Sequence, residues 1–126
     1  MSASMNIFFN SGQNLSETKA LIEKTLFISF KAVVDGDALR YEYAGLGFIV
    51  VLFDKHGLED DRGIAFSSYE YEMDFDPIRG GVEGEYWEKL QYDAALYSFE
   101  RITKALKYPA ILVDDLQKMV SSFKTQ

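Results

Sequence analysis

The sequence predicts an α+β domain in which an antiparallel β-sheet of about four to five strands packs against helices. Two patterns predict it. Apolar and polar side chains alternate with period two through residues 28–34, 39–43 and 64–75, and helical spacing organises residues 15–26 and 85–107. A third observation sets the scale. The chain has 126 residues with no internal repeat and no Pro/Gly/Ser-rich linker, so residues 1–126 are expected to form a single globular domain.

Asn14 followed by Glu17 fits a helix N-cap with a reciprocal acid three residues on, which starts a helix at Leu15 and carries it to about Leu26. Its apolar face would be Leu15, Leu21, Ile22 and Leu26. From Phe27 the period becomes two, with Ile28, Phe30, Ala32 and Val34 on one face of a half-buried strand. Asp35-Gly36 then supplies a tight hairpin turn, because Gly accepts the positive φ that such a turn needs, and Leu39, Tyr41 and Tyr43 resume the alternation. Residues Phe48 to Phe53, FIVVLF, are apolar on both parities, the pattern of a central strand covered on both faces.

After a polar loop from Asp54 to Gly63, a long strand is expected from Ile64 to Phe75. Tyr69, Tyr71, Met73 and Phe75 share one parity, which should face the helices, while Glu70, Glu72, Asp74 and Asp76 share the other. Ile64 and Phe66 are out of phase with this face, so a bulge near Ser67 and Ser68 is expected to restore it. Gly80, Gly81 and Gly84 mark a loop. A long helix follows from about Glu85 to Lys107, with Ala95, Phe99, Ile102 and Leu106 at helical spacing and Glu85–Lys89 and Glu100–Lys104 as i,i+4 pairs. Pro109 ends it. Ala110 to Val113 reads as a short strand, and Asp114 with Gln117 as the capping box of a last helix ending near Phe123.

Composition excludes most chemistry. With no cysteine and a single histidine, His56, the chain has no disulfides, thiolate ligands or thiol nucleophiles, and no second nitrogen donor for zinc. The segment Asp54 to Asp61, DKHGLEDD, gathers His56 with four carboxylates, yet it lacks the ligand spacing of a calcium loop. Ser67-Ser68 has no nucleophile elbow, and Gly80, Gly81 and Gly84 lack the lysine and the spacing of a phosphate loop. No catalytic residue, metal ligand or cofactor is therefore assigned, and the protein is not expected to be an enzyme.

Charge is the informative feature. The net charge is −7, which disfavours direct binding of nucleic acid or an anionic membrane, and the charge is uneven. Residues 35–88 hold fourteen acids against Arg40, Lys55, Arg62 and Arg79, a net of −10, so the remainder carries +3. The longest apolar run, from Leu46 to Phe53, is too short to span a bilayer, and the N-terminus lacks the basic start of a signal peptide, so a cytoplasmic protein is expected. Glu70, Glu72, Asp74 and Asp76 form an acidic ladder whose repulsion is a standing cost unless cations answer it. Lys31 and Arg40 could do so across the sheet, or the face could simply be solvated. Alternatively, the ladder together with Glu59, Asp60 and Asp61 forms a binding surface for a basic protein. Tyr86, Trp87, Tyr92 and Tyr97 on the long helix could add aromatic anchors.

A small, cysteine-free, acidic domain of mixed helix and strand without an evident active site resembles the immunity proteins of bacterial contact-dependent growth inhibition and related polymorphic toxin systems. The resemblance spans the chain in size, charge and mixed secondary structure, with Gly47 to Phe75 as the expected signature region. It implies a protein that binds and neutralises a cognate toxin domain, commonly a basic nuclease, and performs no chemistry itself. The expected partner-binding residues are Glu59, Asp60, Asp61, Glu70, Glu72, Asp74 and Asp76. A cytoplasmic protein-binding adaptor, and a metal-dependent hydrolase using the Asp54 to Asp61 loop, are the alternatives.

Overall fold

A computed structural model of the chain describes residues 4–45, 47–77 and 85–124. The elements in chain order are β1 (Met5–Phe9), α1 (Leu15–Leu26), β2 (Lys31–Asp35), β3 (Ala38–Gly45), β4 (Phe48–Asp54), a 3₁₀ turn (Phe66–Ser68), β5 (Tyr71–Pro77), α2 (Glu85–Arg101) with a π-helical extension (Ile102–Leu106), β6 (Ala110–Asp114) and β7 (Lys118–Phe123). The strands form one sheet in the order β2-β3-β4-β5-β1-β6-β7, and every neighbouring pair is antiparallel. The class is α+β as expected, but the sheet has seven strands instead of four to five.

Two strands account for the difference. Strand β1 lies between β5 and β6 with all five residues buried: Met5, Ile7 and Phe9 join the core under the helices, while Asn6 and Phe8 point to the opposite face. A segment buried on both faces shows no alternation, so five residues of it carry no periodic signal. Strand β7 replaces the expected last helix. Asp115 and Leu116 both take positive φ, 52° and 58°, as the central residues of the turn Asp114–Gln117 that joins β6 and β7 as a hairpin. The turn is held from outside: the Asp115 N–H donates to Ser4 O (2.8 Å), the Leu116 N–H donates to Asn6 Oδ1 (3.1 Å), and the Leu116 side chain packs beside Phe8.

Helix α1 begins where expected. Asn14 Oδ1 accepts the Glu17 N–H at 2.8 Å, and Phe27 closes the helix in the left-handed region at φ 59°. Its buried stripe is Thr18, Ile22 and Thr25, with Thr18 Oγ1 bonded to Ser11 Oγ at 2.6 Å. The next strand starts later than expected, at Lys31, because Phe30 N–H is held by the Glu23 carboxylate (2.7 Å) at the foot of the helix. In α2, Ala95, Phe99 and Ile102 are buried as the spacing predicts, and the helix loosens into π geometry over its last five residues.

The segment from Ile64 departs most from expectation. Strand β5 begins at Tyr71, and Ser67-Ser68 sits in a 3₁₀ turn instead of a bulge. Tyr71, Met73 and Phe75 face the helices with Phe48, Val50 and Leu52, whereas Tyr69 packs on the other face. The helices cover one side of the sheet, packing on β1, β4, β5 and β6. On the other side the connection between β4 and β5 folds back over β5, β1 and β6, burying Phe8, Ile64, Phe66, Ile111 and Val113 as a second core.

Candidate functional site

That β4–β5 connection is built on backbone turns and one imidazole. Lys55 and Gly57 adopt positive φ on either side of His56. His56 Nδ1 accepts the Leu58 N–H at 3.0 Å, which leaves Nε2 as the protonated nitrogen donating to Tyr69 O at 2.7 Å. The ring also meets Phe8 edge-on, with centroids 5.3 Å apart. Both ring nitrogens are thus bonded to the two ends of the loop, so the imidazole braces it. Arg62 and Gly63, φ 52° and 75°, form a two-residue tip between Asp61 and Ile64, whose backbones exchange hydrogen bonds of 3.1 and 2.7 Å.

Two further side chains fix the loop. Asp60 Oδ1 accepts both the backbone N–H (2.9 Å) and the hydroxyl (2.7 Å) of Ser67, bonds that hold its carboxyl below the usual aspartate value. Asn10 Oδ1 accepts the Glu70 N–H (2.7 Å) while its amide donates to Ser68 O (2.8 Å). The result presents Glu59, Asp60, Asp61 and Glu70 to solvent. The only cation paired among them in the described residues is Arg62, whose Nε lies 3.6 Å from Asp61.

The acidic ladder does not survive as one exposed row. Glu70 precedes β5 and is exposed, but Glu72 is 4% exposed because the loop that carries Tyr69 closes over that end of the face. Glu72 lies between Phe8 of β1 and Phe53 of β4 and is hydrogen-bonded to Asp74. Burial first, then that bond and the charges of Asp74 and Asp76, push its carboxyl up to about 10, so it is protonated at neutral pH. Asp74, half-buried, accepts the Asn6 amide at 2.7 Å. Asp76, also half-buried, is raised to about 6 by burial and by the Asp74 charge. Glu72 is therefore removed from the partner-binding surface expected of it, and Asp74 and Asp76 remain at its margin.

Lys31 and Arg40 share this face but do not pair with the ladder. Arg40 Nε donates to Glu42 Oε2 at 2.5 Å, Lys31 stands opposite Glu42, and the β4 side chains Ile49, Val51 and Phe53 separate them from β5. The sequence predicted β4 covered on both faces. Instead Phe48, Val50 and Leu52 are buried, and Ile49, Val51 and Phe53 are only partly buried and belong to neither core. Tyr92 and Tyr97 are exposed on α2. Gly80, Gly81 and Gly84, and the side chains of Tyr86 and Trp87, lie outside the described residues.

Asn6 and Asn10 carried no sequence signal, because an asparagine among apolar residues reads only as an interruption. Here Asn6 ties the β6–β7 turn to β1 and bonds Asp74 of β5, and Asn10 holds the end of the acidic loop beside β1. No three His, Asp or Glu side chains come together as a metal site among the described residues. No helix among them is long and apolar enough to cross a membrane. Compared with protein-family models, curated proteins and solved structures, the chain matches none.

Proposed function

We propose that the protein is an immunity protein, which binds a cognate basic toxin domain, a nuclease being the class best suited to its charge, and neutralises it by occupying its cationic cleft. One observation carries this reading: Glu59, Asp60, Asp61 and Glu70 are exposed on a loop fixed at both ends by His56, Asp60 and Asn10. Carboxylates held in place by backbone hydrogen bonds attract a basic surface without having to be ordered during binding, which lowers the entropic cost of the complex. Nothing in the geometry favours the metal-dependent hydrolase, since both nitrogens of His56 bond to the backbone.

The reading is tested by survival. Cells expressing the toxin domain encoded beside this gene should grow when the protein is co-expressed and die without it. Glu59→Lys, Asp61→Lys and Glu70→Lys combined should abolish protection while leaving the fold intact, because all three side chains are exposed. Full protection by that triple variant would refute the assignment of the surface, and failure of the unmodified protein to protect would refute the function.

A further inference from the structure

Among the described residues, the outer face of the sheet is closed over β5, β1 and β6 and left uncovered over β2, β3 and β4. The closed half shows what this chain does with an apolar sheet face when it can: Leu58, Ile64, Phe66 and Tyr69 cover Phe8, Ile111 and Val113. The same cross-strand rows continue into the open half. Glu72 pairs with Phe53, which follows on to Arg40 and Val33, and Asp74 pairs with Val51, followed by Glu42 and Lys31. Ile49, Val51 and Phe53 thus form an apolar strip on a central strand, with no described residue of either core packed on it. Val51 and Phe53 also line a concavity of about 480 Å³ that reaches Leu15 and Ala38 and is rimmed by Asp37, Arg40, Asp54 and Lys55.

The strip has differently charged margins. On the β3 side Arg40 is bonded to Glu42, and Lys31 stands opposite Glu42 in the register, so this margin carries its own cations. On the β5 side Asp74 and Asp76 have no cation within ion-pair distance among the described residues. Strands are spaced by about 4.8 Å, so these carboxylates lie one strand from Val51 and Ile49 and two from Glu42.

We infer that the open half of this face, centred on Ile49, Val51 and Phe53 and bordered by Asp74 and Asp76, docks an apolar segment of the partner protein that carries Lys or Arg on its β5 side. This rests on the proposed function and extends it, moving the buried centre of the interface from the acidic loop to the sheet. The division of labour is physical. Exposed carboxylates at Glu59, Asp61 and Glu70 steer the encounter, whereas desolvated apolar contacts and an ion pair at their edge set how long the complex lasts. Asp76 resists ionisation in the free protein, and an incoming ammonium or guanidinium offsets that resistance.

The test is site-specific photo-crosslinking of the full chain in its native cell, with p-benzoylphenylalanine placed in turn at Val51, at Glu59 and, as a control on the opposite side, at Tyr97. The inference predicts that Val51 and Glu59 capture the same protein, that Tyr97 does not, and that the peptide joined to Val51 holds apolar residues with Lys or Arg within about four positions. With that captured protein purified, Val51→Lys should raise Kd at least about 10-fold and Asp76→Asn about 5-fold, chiefly through faster dissociation. The Asp76→Asn change keeps the side-chain shape, so it reads the ion pair even if Val51→Lys fails to fold. Capture through Glu59 alone, a Val51 peptide that is acidic or comes from a second copy of this chain, or an unchanged Kd in Asp76→Asn overturns the inference and leaves the proposed function standing. Capture through neither Val51 nor Glu59 overturns both.

Discussion

Glu72 stands at the head of a strand beside Phe8 and Phe53, a place where an ionised carboxylate would be poorly solvated. Its folded-state pKa lies above the ordinary glutamate value, near 10 against 4.5. The stability it supplies is therefore complete below about pH 4.5 and is lost as pH rises toward 10. Glu72→Gln should match the natural protein near pH 5 and exceed it at pH 8 to 9 by at least about 1 kcal/mol, a rise of roughly 3–6 °C in Tm. Thermal unfolding of both proteins across this range checks it, and parallel curves would contradict it. His56 makes a different prediction. Its imidazole joins Leu58 to Tyr69, so His56→Ala should cost about 1–3 kcal/mol and speed amide exchange throughout residues 55–70 while the helices stay protected. The parity of Glu70, Glu72, Asp74 and Asp76 was legible in the sequence; their exposure was not. Parity is a property of one strand, whereas the burial of Glu72 depends on a loop that returns over it.

Elements defined by local chemistry were legible, and elements defined by pairing were not. Helix α1 was placed to the residue because Asn14, Glu17 and the apolar spacing act within a few positions of one another. Strand β7 was read as a helix because Asp114 and Gln117 match a capping box, whereas they close a hairpin turn that holds no glycine to announce it. Tyr69 was assigned to the wrong face because the alternation of β5, which begins only at Tyr71, was carried back across the bend at Glu70. One element suggests its own improvement. Phe27 ends α1 at φ 59° with its side chain 81% exposed, so it bears left-handed strain without compensating burial. Phe27→Gly should stabilise the protein by about 0.5–1 kcal/mol, because relief of strain exceeds the added freedom of the unfolded chain. Chemical denaturation measures this, and a loss of stability would mean that Phe27 makes a contact that its exposure hides.

Across the whole molecule, the two sides of the sheet divide the tasks. One side is sealed by the helices and supplies the main core, while the other carries the second core, the fixed acidic loop and an open apolar strip. Among the described residues Glu59, Asp60, Asp61, Glu70, Asp74 and Asp76 lie on or beside that second side, which gives the molecule a directed field. A field of this kind acts on encounter, and it is screened when the Debye length falls to about 10 Å at 0.1 M salt. The most direct measurement is the association rate constant between the full chain and the toxin domain proposed as its partner, taken at low ionic strength and at about 0.15 M salt. The account predicts that salt slows the natural protein several-fold. It further predicts that Glu59→Lys, Asp61→Lys and Glu70→Lys together slow association about 10-fold at low salt and erase most of the salt dependence, while Glu17→Lys, Asp93→Lys and Glu100→Lys on the helices change it little. Equal slowing by the two triple variants, or a rate indifferent to salt, would contradict the claim that the acidic loop is the surface that finds the partner.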